Sequence, residues 1–386
     1  MNKKAKNNWL PMLVQCAFGV LLGAACGMMI VGYLDAVVTP ETSAGQDLML
    51  YAALLLCLYL AYLLQLVIHE AGHLVFGLMT GYRFCSYRFL CFMWLRQEGK
   101  LRLRLLSVSG TAGQCLMAPP EPRQGRFPVM LYNLGGSIMN LIAAALFLAV
   151  GSLFGGGTLI GVFLRFLALT GLMCAFLNGI PMRTKLVDND GRNAISLRKD
   201  PVARQMFWRQ MKIAEQMTQG ACLKDMPQEW FDLPPEADRH NVLVSTIAVM
   251  ACQRLMEQQR FTEAEEEMAR LLEPGVTLLG LHRQLLICDR TYCELIGENR
   301  KAVLDALRTK EQLAFLKATK RDLSVLRTEY AYTLLAERNM EKAKGLEARF
   351  DKLTKTYPYT GEVWRERELM RKACMLGSDQ LSEPNT

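Results

Sequence analysis

Apolar residues are distributed unevenly along this chain. Four long runs rich in Leu, Ala, Gly, Met and Phe lie in its first half, at about 10–34, 48–78, 129–153 and 158–180. Because a helix needs roughly 20 apolar residues to cross the hydrocarbon core of a bilayer, each run predicts a membrane-spanning helix. The first run is too long for a cleaved signal peptide, so we expect it to be retained as a span.

The pattern changes between the second and third runs. Residues 100–105 (Lys-Leu-Arg-Leu-Arg-Leu) alternate strictly between basic and apolar, and the stretch before them is rich in aromatic residues. Alternation of this kind is typical of strands. We predict a small membrane-associated β-hairpin at about 81–108. An equally simple interpretation is that this hairpin only caps the helices.

From residue 192 onward the chain is more polar and reads as a soluble α-helical domain. Three short turn-helix sequences recur, with Ala264, Ala302 and Ala343 spaced 38 and 41 residues apart. This spacing is longer than the tetratricopeptide period. A degenerate tetratricopeptide-like solenoid and an ordinary helical bundle both fit.

The predicted fold class is therefore mainly α: a polytopic membrane protein with about four transmembrane helices, a small β-hairpin and a soluble helical domain. We divide the chain into a first span with its outer loop (1–47), a membrane core (48–191) and a helical, possibly tetratricopeptide-like domain (192–386).

Charge predicts the orientation of the spans. The N-terminal tail carries three lysines, the 39–47 loop has no Lys or Arg, and the 81–127 segment has eight basic residues. By the positive-inside rule, both termini and the 81–127 segment are expected on the cytoplasmic side of the cell membrane. The net charge of +8 fits anionic lipid as a partner better than nucleic acid. The twelve cysteines form no C-x-x-C pair, which argues against a cysteine-based zinc site.

Candidate chemistry lies near the inner end of the second apolar run. His69 and His73 are four residues apart, so on a helix both imidazoles lie on one face and can bind the same metal. Glu70 lies beside them, where it can accept a proton from water. Ionisable side chains within an apolar span are costly unless they bind something, which favours a functional site.

A catalytic zinc site needs a third protein ligand. Asp190 and its competitor Asp188 follow the fourth apolar run. The second and fourth spans run in the same direction, so either aspartate would emerge on the same membrane face as the histidines. Asp190 is favoured because a glycine follows it.

These motifs together resemble the site-2 protease family of intramembrane zinc metalloproteases, and in particular a bacterial member with a helical C-terminal domain. The resemblance rests on His69-Glu70-x-x-His73, on Gly136-x-x-x-Asn140, on Asn178-x-x-Pro181 and on Asp190-Gly191. It implies that His69, His73 and Asp190 bind Zn²⁺, that Glu70 is the general base, and that Asn140 helps to bind the substrate. The chain departs from the family pattern in the longer, basic stretch between Pro181 and Asp190.

The expected function is hydrolysis of peptide bonds in membrane-embedded or membrane-proximal substrates. The expected partners are a membrane-protein or peptide substrate, the bilayer, and a protein that binds the helical domain. An alternative is a catalytically inactive membrane scaffold. A transporter or channel fits less well, because the spans show no inverted repeat.

Overall fold

The computed structural model describes residues 9–39, 42–106, 112–155, 157–182, 189–234 and 240–382. The chain divides into two compact units. The first comprises Met1–Phe89 and Ala112–Asp200, and the second comprises Leu90–Thr111 and Pro201–Thr386. The second unit thus includes the later part of the predicted hairpin region, from residue 90 onward, and the first unit ends nine residues beyond the boundary placed from sequence at 191.

Long apolar helices dominate the first unit. Its five helices are α1 (Trp9–Val37), α2 (Ala44–Met79), α3 (Met130–Gly151), α4 (Leu159–Gly179) and α5 (Asp190–Lys199). Within the described part of the chain, four helices are long and apolar enough to cross a membrane, namely Leu13–Val37, Ala44–Met79, Met130–Gly151 and Leu159–Gly179. They correspond to the four predicted spans.

Helix α2 starts sharply and packs closely on α3. Its first turn carries a capping box, in which the Ser43 side chain accepts from the Gln46 N–H and the Gln46 side chain accepts from the Ser43 N–H. Further along, a Cβ atom added to Gly72 would lie 2.3 Å from the carbonyl oxygen of Gly135. Only glycine allows so close an approach, so this pair sets the distance between α2 and α3 beside the histidines.

The β structure is larger than the predicted hairpin. Four strands form an antiparallel sheet in the order β3-β2-β1-β4, with β1 (Arg83–Phe89), β2 (Phe92–Gln97), β3 (Lys100–Leu105) and β4 (Gly113–Ala118). Strand β4 was not predicted, because the sequence Gly110–Cys115 is typical of a glycine-rich turn. Strand β4 pairs with β1, from Arg83 opposite Ala118 to Phe89 opposite Gly113. Strands β2 and β3 pair from Phe92 opposite Leu105 to Gln97 opposite Lys100.

The second unit is helical apart from β2 and β3. Its helices are α6 (Pro201–Thr218), α7 (Val242–Glu257), α8 (Phe261–Leu272), α9 (Gly280–Ile296), α10 (Lys301–Leu307), α11 (Lys310–Ala318), α12 (Leu323–Ala331), α13 (Met340–Thr354) and α14 (Thr360–Ser382). A π-helical turn, Tyr332–Ala336, follows α12. Buried residues of α7, α8, α9, α12 and α14 share one hydrophobic core.

The three recurring turns have the same backbone geometry. Gln259, Asn299 and Arg338 each adopt a positive φ, between 51° and 59°, two residues before a helix begins. They are 40 and 39 residues apart, a more even spacing than that of the alanines. Five residues after each lies a buried side chain: Ala264, Leu304 or Ala343. The exposed Ala302 is therefore not the equivalent of Ala264, which explains the irregular spacing seen in sequence.

Candidate metal centre

Three of the predicted site residues meet inside the first unit. His69 and His73 project from one face of α2, and Asp190 is the first residue of α5. The Nε2 atoms of the two histidines are 3.3 Å apart. The Oδ2 atom of Asp190 lies 3.0 Å from Nε2 of His69 and 3.4 Å from Nε2 of His73. Both imidazoles are buried, and the carboxylate is partly exposed.

The size of this triangle fits a small metal ion. Ligand atoms about 2.0–2.1 Å from a tetrahedral centre are roughly 3.3–3.4 Å from one another. The three observed separations lie within a few tenths of an ångström of this value. Two imidazoles and one carboxylate also leave a fourth position of a tetrahedron for water or substrate. The cluster can therefore hold a divalent cation.

The Nδ1 atoms of the two imidazoles contact acceptors outside the cluster, and these contacts orient the Nε2 atoms toward Asp190. Nδ1 of His73 lies 2.7 Å from the carbonyl oxygen of Tyr132, which can only accept a hydrogen bond. His73 therefore carries a proton on Nδ1, so in the neutral imidazole the lone pair lies on Nε2 and points toward Asp190. Nδ1 of His69 lies 2.7 Å from Oδ1 of Asn140. Partners of this kind are what orients metal-binding histidines in proteins.

A chain of hydrogen bonds fixes the polarity of the His69 contact. The carbonyl oxygen of Leu167 accepts from Nε2 of Gln65 at 2.8 Å. This leaves Oε1 of Gln65 to accept from Nδ2 of Asn140 at 2.7 Å. Asn140 must then present its oxygen to His69, so His69 donates from Nδ1 and keeps a free lone pair on Nε2. Gln65 and Asn140 are both completely buried.

Gln65 was not among the predicted site residues. Both polar ends of the Asn140 amide contact protein groups, His69 and Gln65, so this side chain orients a histidine, and its part in substrate binding stays a prediction. A signal for Gln65 was present in the sequence: it lies four residues before His69 on the same helical face, within an otherwise apolar run.

Gly136 makes room for His69. A Cβ atom on Gly136 would lie 2.5 Å from Cε1 of the His69 ring. The glycine of the Gly136-x-x-x-Asn140 motif is therefore needed for packing, because any side chain at this position would displace the His69 imidazole.

Asp190 is held by its neighbour Asn189. The Asn189 side chain accepts from the N–H groups of Met182 and Arg192, which caps α5 and binds the end of the preceding segment. Its amide group donates to the carbonyls of Leu177 and Ile180. Met182 and Asn189, which flank the basic insertion, are thus hydrogen-bonded to each other, so the length of the insertion does not displace Asp190. Asp188, Arg183 and Lys185 lie outside the described residues.

The environment of Asp190 favours its charged form. Burial alone raises the pKa of this carboxyl. When a proton on an imidazole Nε2 stands in place of a metal cation, the charge of His73 and hydrogen bonds with both histidines lower that pKa well below its usual range. The carboxyl is therefore ionised at neutral pH, as a metal ligand must be. Gly191 completes the arrangement, because a Cβ atom there would lie 2.1 Å from the carbonyl oxygen of Gly179.

Glu70 lies on α2 next to His69 and reaches the sheet. A Cβ atom on Gly113, the first residue of β4, would lie 2.5 Å from Oε1 of Glu70. The carboxylate is therefore packed against bare backbone at the start of β4, a contact that sequence reasoning did not foresee.

The remaining histidines lie elsewhere. His240 is exposed and His282 belongs to α9, both in the second unit. Burial lowers the pKa of the His282 imidazole to about 4. In the described part of the chain, the His69-His73-Asp190 cluster is the group of three or more potential ligands close enough to share a metal ion.

Comparison of this chain with known protein families, with characterised proteins and with solved structures finds no match. The resemblance to site-2 proteases therefore rests on the short motifs alone, and the argument for function rests on the geometry of the cluster.

Proposed function

We propose that this chain is a multi-pass membrane zinc metallopeptidase that resembles the site-2 proteases. The observation that carries the proposal is the arrangement of the two imidazoles and the Asp190 carboxylate, three electron-pair donors that face one another in a buried pocket. Each imidazole is oriented from behind by an acceptor. Such a set is what a catalytic zinc site requires.

Zinc at this position would supply Lewis acidity, which makes water nucleophilic near neutral pH and polarises a carbonyl group. His69, His73 and Asp190 would hold it. Glu70 would accept the proton of the attacking water and deliver it to the nitrogen of the leaving amine. The carboxylate of Glu70, one residue along the chain from the ligand His69, lies against the backbone of Gly113.

The apolar helices around the site support a membrane substrate. Three of the four helices long enough to span a bilayer, α2, α3 and α4, supply or surround the residues of the cluster. We infer that the substrates are membrane-embedded or membrane-proximal segments, that the protein resides in the cell membrane, and that both termini are cytoplasmic.

Zinc content and cleavage measured on the same preparations test this function. The full chain would be purified and reconstituted in liposomes, with zinc measured by mass spectrometry and cleavage followed on a library of transmembrane peptides. We expect one zinc per wild-type chain. Glu70→Gln keeps the zinc and loses cleavage by at least about 10²-fold, because the proton acceptor is gone. His73→Ala loses both.

His240→Ala is the matched control, since it removes an exposed histidine from the other unit and leaves zinc content and cleavage unchanged. A zinc-loaded wild type that cleaves nothing in the library would favour the scaffold alternative. Cleavage by purified Glu70→Gln would falsify the assigned mechanism.

A further inference from the structure

The outer face of the β2-β3 pair carries an unusual apolar surface. Leu101, Leu103 and Leu105 of β3 are exposed by 64%, 52% and 44%. Phe92 of β2, which is 44% exposed, lies opposite Leu105, and Trp94 lies opposite Leu103. We call these five residues the hairpin face.

The hairpin face is the reverse of the usual arrangement in a two-faced strand. The alternation of basic and apolar residues in β3 would ordinarily place the leucines inside and the arginines in water. Instead the inner side of β2 is filled by Met93 and Leu95, both fully buried, while Arg102 and Arg104 of β3 are half-buried. Among the described residues nothing covers these three leucines, and a contiguous exposed apolar row of this kind marks an interaction surface.

Charge indicates what binds this surface. Strands β2 and β3 and their connection carry four basic residues, Arg96, Lys100, Arg102 and Arg104, and one acidic residue, Glu98. Of these, Arg96 lies opposite Leu101 on the hairpin face and Lys100 lies at the adjacent turn, both exposed, whereas Arg102 and Arg104 project to the other side. Exposed leucines and a Trp beside Arg and Lys are the combination that binds the interface of an anionic bilayer.

Two further observations favour lipid over a protein partner. The leucines are exposed to the same degree as Leu55 and Leu56 of the apolar helix α2, which are 63% and 56% exposed. Along the sequence, the hairpin also falls between α2 and α3, two helices long enough to span a membrane, so the chain connects it to such a helix on each side. We propose that the hairpin face inserts into the surface of an anionic lipid bilayer.

This contact would reach the helical domain as well, because β2 and β3 are packed into the same unit. Nε2 of Gln97 donates to the carbonyls of Thr218 and Pro358. The backbone N–H of Leu105 donates to the carbonyl of Thr356. Lipid bound to the hairpin face therefore holds the C-terminal helical unit at the membrane surface, whether or not the metal centre is active.

Quenching of tryptophan fluorescence by brominated lipid tests the proposal. The full chain would be reconstituted in vesicles of phosphatidylcholine alone or with 30 mol% phosphatidylglycerol, and the contribution of Trp94 obtained as wild type minus Trp94→Phe. We expect this contribution to be quenched at least twofold, and more strongly with anionic lipid. The combined Leu101→Gln, Leu103→Gln and Leu105→Gln variant should lose at least half of the quenching.

Leu313→Gln is the matched control, since this leucine of α11 is 45% exposed outside the hairpin. It should leave Trp94 quenching unchanged. Leu103→Gln alone, the mildest change, should give an intermediate loss if the triple variant does not fold. A Trp94 contribution that brominated lipid does not reach would overturn the proposal. So would cross-linking of Leu103→Cys between two copies in place of quenching.

Discussion

The two units bury polar side chains in opposite ways. In the helical unit, Arg327 is 1% exposed and donates to both Asp289 and Glu366, and Arg365 also donates to Glu366. Two arginines and two carboxylates therefore balance one another's charge. In the first unit, the atoms of His69, His73 and Asp190 that face one another are all electron-pair donors. The first kind of cluster is complete as it stands, whereas the second needs a proton or a metal cation between its three donors.

This contrast distinguishes buried polar clusters with a structural role from those that bind a ligand. Opposite charges that satisfy one another indicate a structural role. Several electron-pair donors that face one another, each oriented by a hydrogen bond on its other side, indicate a bound cation. Four experiments test this distinction.

Metal removal should have the largest effect, and only on the first unit. Stripping the purified chain with a chelator removes a ligand that binds the folded state, which at ~1,000 times the Kd corresponds to about 4 kcal/mol of stability. Hydrogen exchange measured by mass spectrometry should rise in α2 and α5 and stay constant in α9 and α12. Equal changes in both units would contradict the comparison.

Arg327→Met should destabilise the helical unit nearly as much. It leaves Asp289 buried without its paired cation and Glu366 with Arg365 alone, which costs about 3 kcal/mol, at the lower end of the range for a broken buried pair. Urea unfolding followed by hydrogen exchange in α9 and α14 measures this loss, while zinc content stays at the wild-type value. Lys301→Met is the control: its pair with Asp305 is exposed, so its effect should be near zero.

Gln65→Leu tests the support behind His69. The Asn140 amide loses an acceptor that fixes its orientation, and zinc affinity should fall by about 10-fold, at the lower end of the range for such partners. Competition with a fluorescent chelator gives the affinity. No comparable variant exists on the His73 side, since its partner is the backbone carbonyl of Tyr132. An unchanged affinity would show that the Asn140 contact is sufficient alone.

The smallest effect concerns pH and the helical unit. Burial raises the pKa of Glu362 to about 7, with Arg365 opposing and Asp322 and Glu366 adding to the rise. Because the folded-state pKa exceeds the unfolded value near 4.5, folding favours the protonated acid. Stability of this unit should therefore fall as the pH rises from about 4.5 through 7.

A shift of a few degrees in the melting temperature between pH 5 and pH 8 would be measured by scanning calorimetry. Glu362→Gln keeps an acceptor for the Tyr357 hydroxyl and should remove most of that shift. A shift of the same size in this variant would assign the pH dependence to other groups.

Periodicity made much of the fold predictable. The four apolar helices and the helical second half follow from run lengths and composition, because burial and membrane crossing impose those patterns directly. The sheet was only half anticipated: β3 alternates clearly, but β4 begins with a glycine and carries no alternation. The face on which the β3 leucines lie could not be predicted either, since it depends on Met93 and Leu95, which fill the inner side of β2.

The site was predictable where spacing within one element decides geometry. His69 and His73 share a helical face, so their meeting follows from a separation of four. The roles of Gln65 and Asn140 depend on a contact between helices distant in sequence. The position of Asp190 depended on how the insertion is closed, which only the hydrogen bonds of Asn189 reveal.

That closure has a consequence for how the chain tolerates change in length. The backbone N–H of Asn189 donates to the carbonyl of Met182, so the two residues that flank the inserted segment are joined directly. Doubling such a loop costs only about 0.6 kcal/mol in closure entropy. A peptide tag or a protease site placed there should leave the neighbouring helix start undisturbed, which makes this position a practical handle for purification and for labelling.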